Sequence, residues 1–318
     1  MGGSDSGTRV SVQVLALATL TVTLFAAAGY VPILGVLVSL LAPTPILLVA
    51  LRHGLRVGLL ALGLATLALA LFFGSLQSII FFAEYGVMAL AMAEAIRRQW
   101  SVEKALLVST VVPLAASGIV IALLLSSADL DLGAVKPHFE EELSRALRRF
   151  VTDGGGPSEG ELRIYVQEAL GVVVQMLPAL FALSTAAGVL VNYGVVRLLW
   201  RRMGGQALFP EVSLTRWKAP EACVWVLIAS GICYFVPLAG LRIAGLNTLL
   251  LVSLVYLVQG LGIMVFYLHK ASVPPIFRNT AYLFLAIQPL LLLGVAAFGL
   301  FDLWFDFRHI GNKREEAQ

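Results

Sequence analysis

An all-α, polytopic transmembrane helix bundle of about eight to nine spans is what this sequence predicts, and three observations carry the prediction. Of the 318 residues, 59% are apolar and only 13% are charged, roughly half the ~25% charge of a soluble domain. The apolar residues fall in runs long enough to cross a bilayer, which takes about 20 residues of helix. Lys and Arg gather in alternate connections between those runs, as membrane orientation requires. The same figures exclude other classes. A net charge of +3 spread over loops gives no basic face for nucleic acid. Cys223 and Cys233 stand ten residues apart in one apolar run, about 15 Å of helical rise and too far for a disulfide.

Nine runs qualify as spans: Val10–Tyr30, Ile33–Leu51, Leu59–Phe73, Leu76–Ala95, Leu106–Ser126, Val172–Leu198, Ala222–Leu241, Leu246–Leu268 and Ala281–Phe301. The first is no cleavable leader on its face, since only Arg9 flanks it and no small-x-small cleavage site stands out. Its Thr19, Thr23 and Ala27 repeat every four residues, a small-residue stripe against which another helix can pack closely. That helix is either a neighbour in the chain or a separate membrane subunit. The second run holds Pro43 and Pro45, which kink a helix or mark a re-entrant turn buried in protein. Gly58 with Gly63, and Gly260 with Gly262, permit further close packing.

Arg52 and Arg56 follow the second run, and Arg97, Arg98 and Lys104 follow the fourth. Arg197, Arg201, Arg202, Arg216 and Lys218 follow the sixth, with Lys270 and Arg278 after the eighth. All fall on one side if the N-terminus is cytoplasmic. Nine spans leave Arg308, Lys313 and Arg314 outside, against that trend. Residues 128–167 carry five basic and eight acidic residues, a net of −3, and belong outside. The expected organisation is a transmembrane bundle over 1–127, an extracytoplasmic helical loop over 128–167, and a second bundle over 168–318. Within the loop Val135, Phe139, Leu143, Leu147 and Phe150 recur at helical spacing, which predicts an amphipathic interfacial helix. Ser158 with Glu161 reads as a capping box. It opens a helix expected to reach Arg202, about 65 Å long and kinked at Pro178.

Polar residues inside apolar runs are the informative positions, because an unpaired polar group in hydrocarbon is costly. Glu84 lies about 12 Å below the start of its run. Asn247 lies near an outer end, Tyr256 and Gln259 share a face near mid-depth, and Gln175 belongs to the long helix, as do Asn192 and Tyr193. One reading gathers Glu84, Gln175, Asn247, Tyr256 and Gln259 around an outward-opening polar pocket. The other makes the amides interhelical hydrogen bonders, their common use in bundles.

Catalytic signatures point elsewhere. Glu140-Glu141 followed by Arg145 matches a Glu-Glu-x-x-x-Arg pattern similar to that of intramembrane CAAX-type proteases. Those carry it inside the membrane with partner histidines, whereas here a solvated charged face is expected. His53, His138, His269 and His309 sit in loops or at run ends. No His-Glu-x-x-His, Walker loop or nucleophile elbow occurs, and neither cysteine has a nearby histidine for a metal. The expectation is a protein that is no enzyme and takes no cofactor or metal.

Asn247 to Leu268, with Leu254-Val-Tyr-Leu-Val-Gln-Gly-Leu261, then Val273-Pro274-Pro275, resembles the YybS-like family of bacterial membrane proteins. So do the ending Gly299-Leu-Phe-Asp-Leu-Trp-Phe-Asp-Phe-Arg308 and the stretch from Glu84 to Trp100. The resemblance covers most of the chain outside the loop, and implies no activity. Ala42-Pro-Thr-Pro45 followed by Arg52-His-Gly-Leu-Arg-Val-Gly58 is similar in style to S-components of energy-coupling-factor vitamin transporters. Those bind a vitamin near the outer face and contact a coupling subunit through small residues of an early helix, a role that Thr19, Thr23 and Ala27 would take. A cell-shape scaffold of the MreD type shares this fold style, so analogy leaves function open.

Two functions compete. The first is a multi-pass protein of the bacterial cytoplasmic membrane that binds or transports a small solute. The second is a scaffold without transport, which docks a membrane protein partner or a second copy. Its sequence support is the outer helix and the aromatic ending around Trp304, whose other reading is a plain interfacial anchor.

Overall fold

The computed structural model describes residues 3–30, 34–126, 159–204, 208–210 and 214–309. Among them no strand occurs. The helices are α1 Gly3–Tyr30, α2 Leu34–Ser39, α3 Pro43–His53, α4 Leu55–Phe73, α5 Ser75–Phe81, α6 Val87–Arg97, α7 Val102–Ser126 and α8 Glu159–Arg202. After these come α9 Ala222–Phe235, α10 Ala239–Lys270, α11 Pro275–Ile287 and α12 Pro289–Phe305. A π-helical turn, Phe82–Gly86, joins α5 to α6, and a 3₁₀ turn, Leu214–Arg216, precedes α9. The segment read as an amphipathic helix at Val135–Val151 lies outside the described residues.

Every predicted run falls on helix, but among the described residues fewer than nine have the length of a full crossing. Six do: Val10–Tyr30, Leu55–Phe73, Ser75–Arg97, Val102–Ser126, Leu170–Arg202 and Ala239–Lys270. The second and seventh candidates shrink to the shorter apolar helices Leu37–His53 and Ala222–Phe235. Prolines explain both. Pro43 and Pro45 break the second run, and Pro237 forces Val236 into extended backbone (ψ 132°), leaving α9 about 21 Å long. The ninth candidate, Ala281–Phe301, is also corrected. Gln288, which precedes Pro289, is extended (ψ 95°), and the chain turns by 105° there. The Pro275–Phe305 pair starts within five residues of the end of α10. It returns to the same place, where Tyr267 Oη donates to the Phe307 carbonyl at 2.7 Å. Both ends of the pair thus lie near the Lys270 end of α10.

The chain forms two compact units: Met1–Val166 with Ser184–Pro210, and Gln167–Leu183 with Glu211–Gln318. In unit 1 the short α3 is the buried centre, with Ile46, Leu47 and Ala50 fully enclosed. Leu62 and Leu69 of α4, Met92 of α6 and Val189 and Val196 of α8 pack in the same core. Gly54 (φ +95°) turns α3 back into α4 and Gly74 (φ +94°) ends α4, a backbone region that glycine enters without strain. The opposite faces are apolar and exposed, as at Leu71 and Phe72, where lipid replaces water.

Unit 2 is organised on α10. A Cβ on Gly299 of α12 would run into the Tyr256 carbonyl, and one on Gly260 into the Val295 carbonyl. These two helices thus meet backbone to backbone, the small-residue contact of membrane bundles. Gly245 lets α9 approach in the same way, its Cβ position 2.6 Å from the Ser230 carbonyl. Gly58 and Gly262 are likewise tight, whereas Gly63 has nothing within 4 Å.

Candidate functional site

Glu84 sits in the π-helical turn Phe82–Gly86, inside the Ser75–Arg97 span. A π turn adds one residue to the helical register and is frequent at functional sites. Phe81, Ala83 and Gly86 on this segment are buried, while Glu84 is half-buried. Its Oε1 accepts a hydrogen bond from Thr185 Oγ1 of α8 at 3.3 Å, and Thr185 is itself buried. Beside it Phe25, Phe81 and Tyr85 form an aromatic cluster, with ring centroids 5.2 to 5.9 Å apart.

Two turns further along α8, Asn192 repairs the broken second run. Pro43 has no N–H, and the Thr44 N–H bonds to the Leu41 carbonyl, so the Leu40 carbonyl loses both helical donors. Asn192 Nδ2 donates to it at 2.7 Å and to the Gly188 carbonyl at 2.8 Å. Asn192 Oδ1 accepts from Thr44 Oγ1 at 2.7 Å. The result is a polar track on one face of α8 at Thr185, Gly188 and Asn192, enclosed in unit 1.

The other four predicted ligand residues belong to unit 2. Asn247 Nδ2 donates to the Gln175 carbonyl at 2.7 Å and its Oδ1 accepts from the Ala179 N–H at 2.8 Å. Those are the two backbone groups on either side of Pro178, so the asparagine amide bridges the helical rung next to the one that the proline removes. Gln175 enters this contact through its backbone, and its side chain is exposed. Gln259 is fully buried. Its Oε1 accepts from the Ala219 N–H at 2.9 Å and its Nε2 donates to Asp302 Oδ2 at 2.9 Å. Asp302 Oδ2 also takes Arg308 Nη2 at 2.7 Å, and Arg308 Nη1 donates to the Thr215 carbonyl at 3.0 Å. Tyr256 is buried and its hydroxyl has no partner among the described residues.

The stripe on α1 faces outward. Thr19 and Thr23 are exposed and Ala27 half-buried, while Val14, Ala18 and Thr21 face the bundle. Both hydroxyls donate to their own helix, Thr19 to Leu15 and Thr23 to Thr19, each at 3.0 Å. The stripe thus presents methyl groups. Among the described residues no three of His, Cys, Asp and Glu come together as a metal site.

Sequence reasoning missed Thr185, Asp302 and Arg308. Each answers a polar partner that is 43 or more residues away or in a folded-back turn, so a lone Thr or a charged tail carries no local mark. A family model described as "Predicted membrane protein (DUF2232)" matches residues 19–303. The chain is 23% identical over 312 residues to "Uncharacterized protein YybS" of Bacillus subtilis (strain 168), with 96% of each chain covered. No solved structure matches.

Proposed function

The chain belongs to the DUF2232 family of membrane proteins, and from that premise we propose that it binds a small solute at a polar site centred on Glu84. The observation that supports this reading is a half-buried carboxylate on a π turn within an apolar span, met by one threonine hydroxyl. Ionisable groups inside a membrane are costly and are kept where a ligand or ion uses them. Thr185 is the positioning donor, and the aromatic cluster at Phe25, Phe81 and Tyr85 supplies apolar surface. Asn247 and Gln259 hold unit 2 together and lie outside this site. The test is a panel of small solutes scored by thermal stabilisation of the purified protein. A solute that stabilises the wild type and leaves Glu84→Gln unshifted supports the site; equal shifts in both sink it.

The reading places the N-terminus and the basic helix ends in the cytoplasm of a bacterial cell. The return of the Pro275–Phe305 pair to the Lys270 end supports this, because Arg308 then joins the other basic ends. A green fluorescent protein fused at the C-terminus is expected to fluoresce in cells. A dark fusion, with an active periplasmic reporter at the same position, contradicts the orientation.

A second reading, partner docking along α1, is favoured by the exposure of Thr19 and Thr23. Thr19→Phe with Thr23→Phe is expected to release a copurifying membrane protein without lowering the melting temperature. Retention of every such protein rules the docking out.

A further inference from the structure

We propose that unit 1 carries a second site, a cleft that binds a phosphate group. A cavity of about 530 Å³ opens at the carboxyl end of α3, walled by Arg52, His53, Gly54, Arg97 and Trp200. That volume lies in the range of small-molecule pockets. Among the described residues no carboxylate lines it. The nearby Glu94 is already taken by Arg98.

The cations are arranged rather than scattered. Arg97 Nη1 donates to the Ala50 carbonyl at 3.1 Å, which fixes the guanidinium across the end of α3. A Cβ on Gly54 would stand in ordinary contact with that same nitrogen, at 3.4 Å, so the guanidinium lies directly over the turn that Gly54 makes at φ +95°. Arg52 is exposed beside it, in the last turn of α3. Trp200 is buried and closes the wall from α8. Two arginine forks that pair with no carboxylate among the described residues fit the tetrahedral oxygens of a phosphate, which Arg binds through paired charge-assisted hydrogen bonds. The cleft sits where spans end, the depth at which basic pockets between membrane helices take anionic headgroups. A lipid headgroup and a soluble phosphate ester share this chemistry.

The test uses the purified full chain and native mass spectrometry after incubation with phosphatidylglycerol or phosphatidylcholine vesicles, and separately with millimolar inorganic phosphate. Phosphatidylglycerol is expected to be retained about tenfold over phosphatidylcholine, and Arg52→Gln to lower that retention about tenfold, the size of one charge-assisted hydrogen bond. Arg56→Gln removes an exposed positive charge from unit 1 that does not line the cleft and is expected to leave retention unchanged. Arg52 is exposed, so an unshifted melting temperature in Arg52→Gln separates lost binding from lost folding. Retention that phosphate does not displace assigns the site to a headgroup. Saturable phosphate binding that Arg52→Gln abolishes assigns it to a soluble ester. Equal losses in Arg52→Gln and Arg56→Gln, or retention of neither probe, overturn the proposal.

Discussion

Arg308→Met is expected to destabilise unit 2 by about 3–5 kcal/mol, the usual cost of breaking a buried ion pair from one side. Asp302 and Arg308 have no exposed side-chain surface, so the substitution strands a carboxylate among helices α10 and α12. Gln259 shares the same Asp302 oxygen and cannot neutralise it. Replacing both partners, Asp302→Leu with Arg308→Met, is expected to recover most of the loss, because the desolvation cost disappears with the charges. Melting temperatures of the detergent-purified variants read both effects. A single variant that melts like the wild type refutes this account of the C-terminal turn.

Asn192→Leu is the second large effect. It keeps the branching of the amide but leaves the Leu40 carbonyl and the Thr44 hydroxyl unpaired in a buried site. Each unsatisfied group costs about 1–3 kcal/mol, and water is scarce at this depth to relieve it. Thr44→Val removes one of these bonds together with its donor and is expected to cost far less. Similar melting temperatures for the two variants would mean that the proline break does not depend on Asn192.

These two sites show what the sequence made legible and what it hid. Every described helix overlaps one of the apolar runs, because burial in lipid demands length and composition that a single sequence displays. The prolines at 43 and 45 announced the break in the second run. Pro237 and Pro289 had the same power, since each extends the residue before it, yet the apolar runs around them concealed the shortened α9 and the returning α11–α12 pair. Interhelical hydrogen bonding was one of the two readings given to the amides, and Asn247 and Gln259 do bond between segments of unit 2. Their partners were beyond reach: the Gln175 carbonyl and Asp302 are 72 and 43 residues distant. Glu84 was legible as an intramembrane carboxylate, but its π turn was not, because one added residue in a helical register leaves no trace in composition.

The proposed function rests on Glu84, and native mass spectrometry of protein extracted gently from its own membrane tests it most directly. The account predicts a stoichiometric small-molecule adduct on the wild type that is absent from Glu84→Gln. An adduct retained by Glu84→Gln, or a wild type that carries a protein partner and no small molecule, contradicts it.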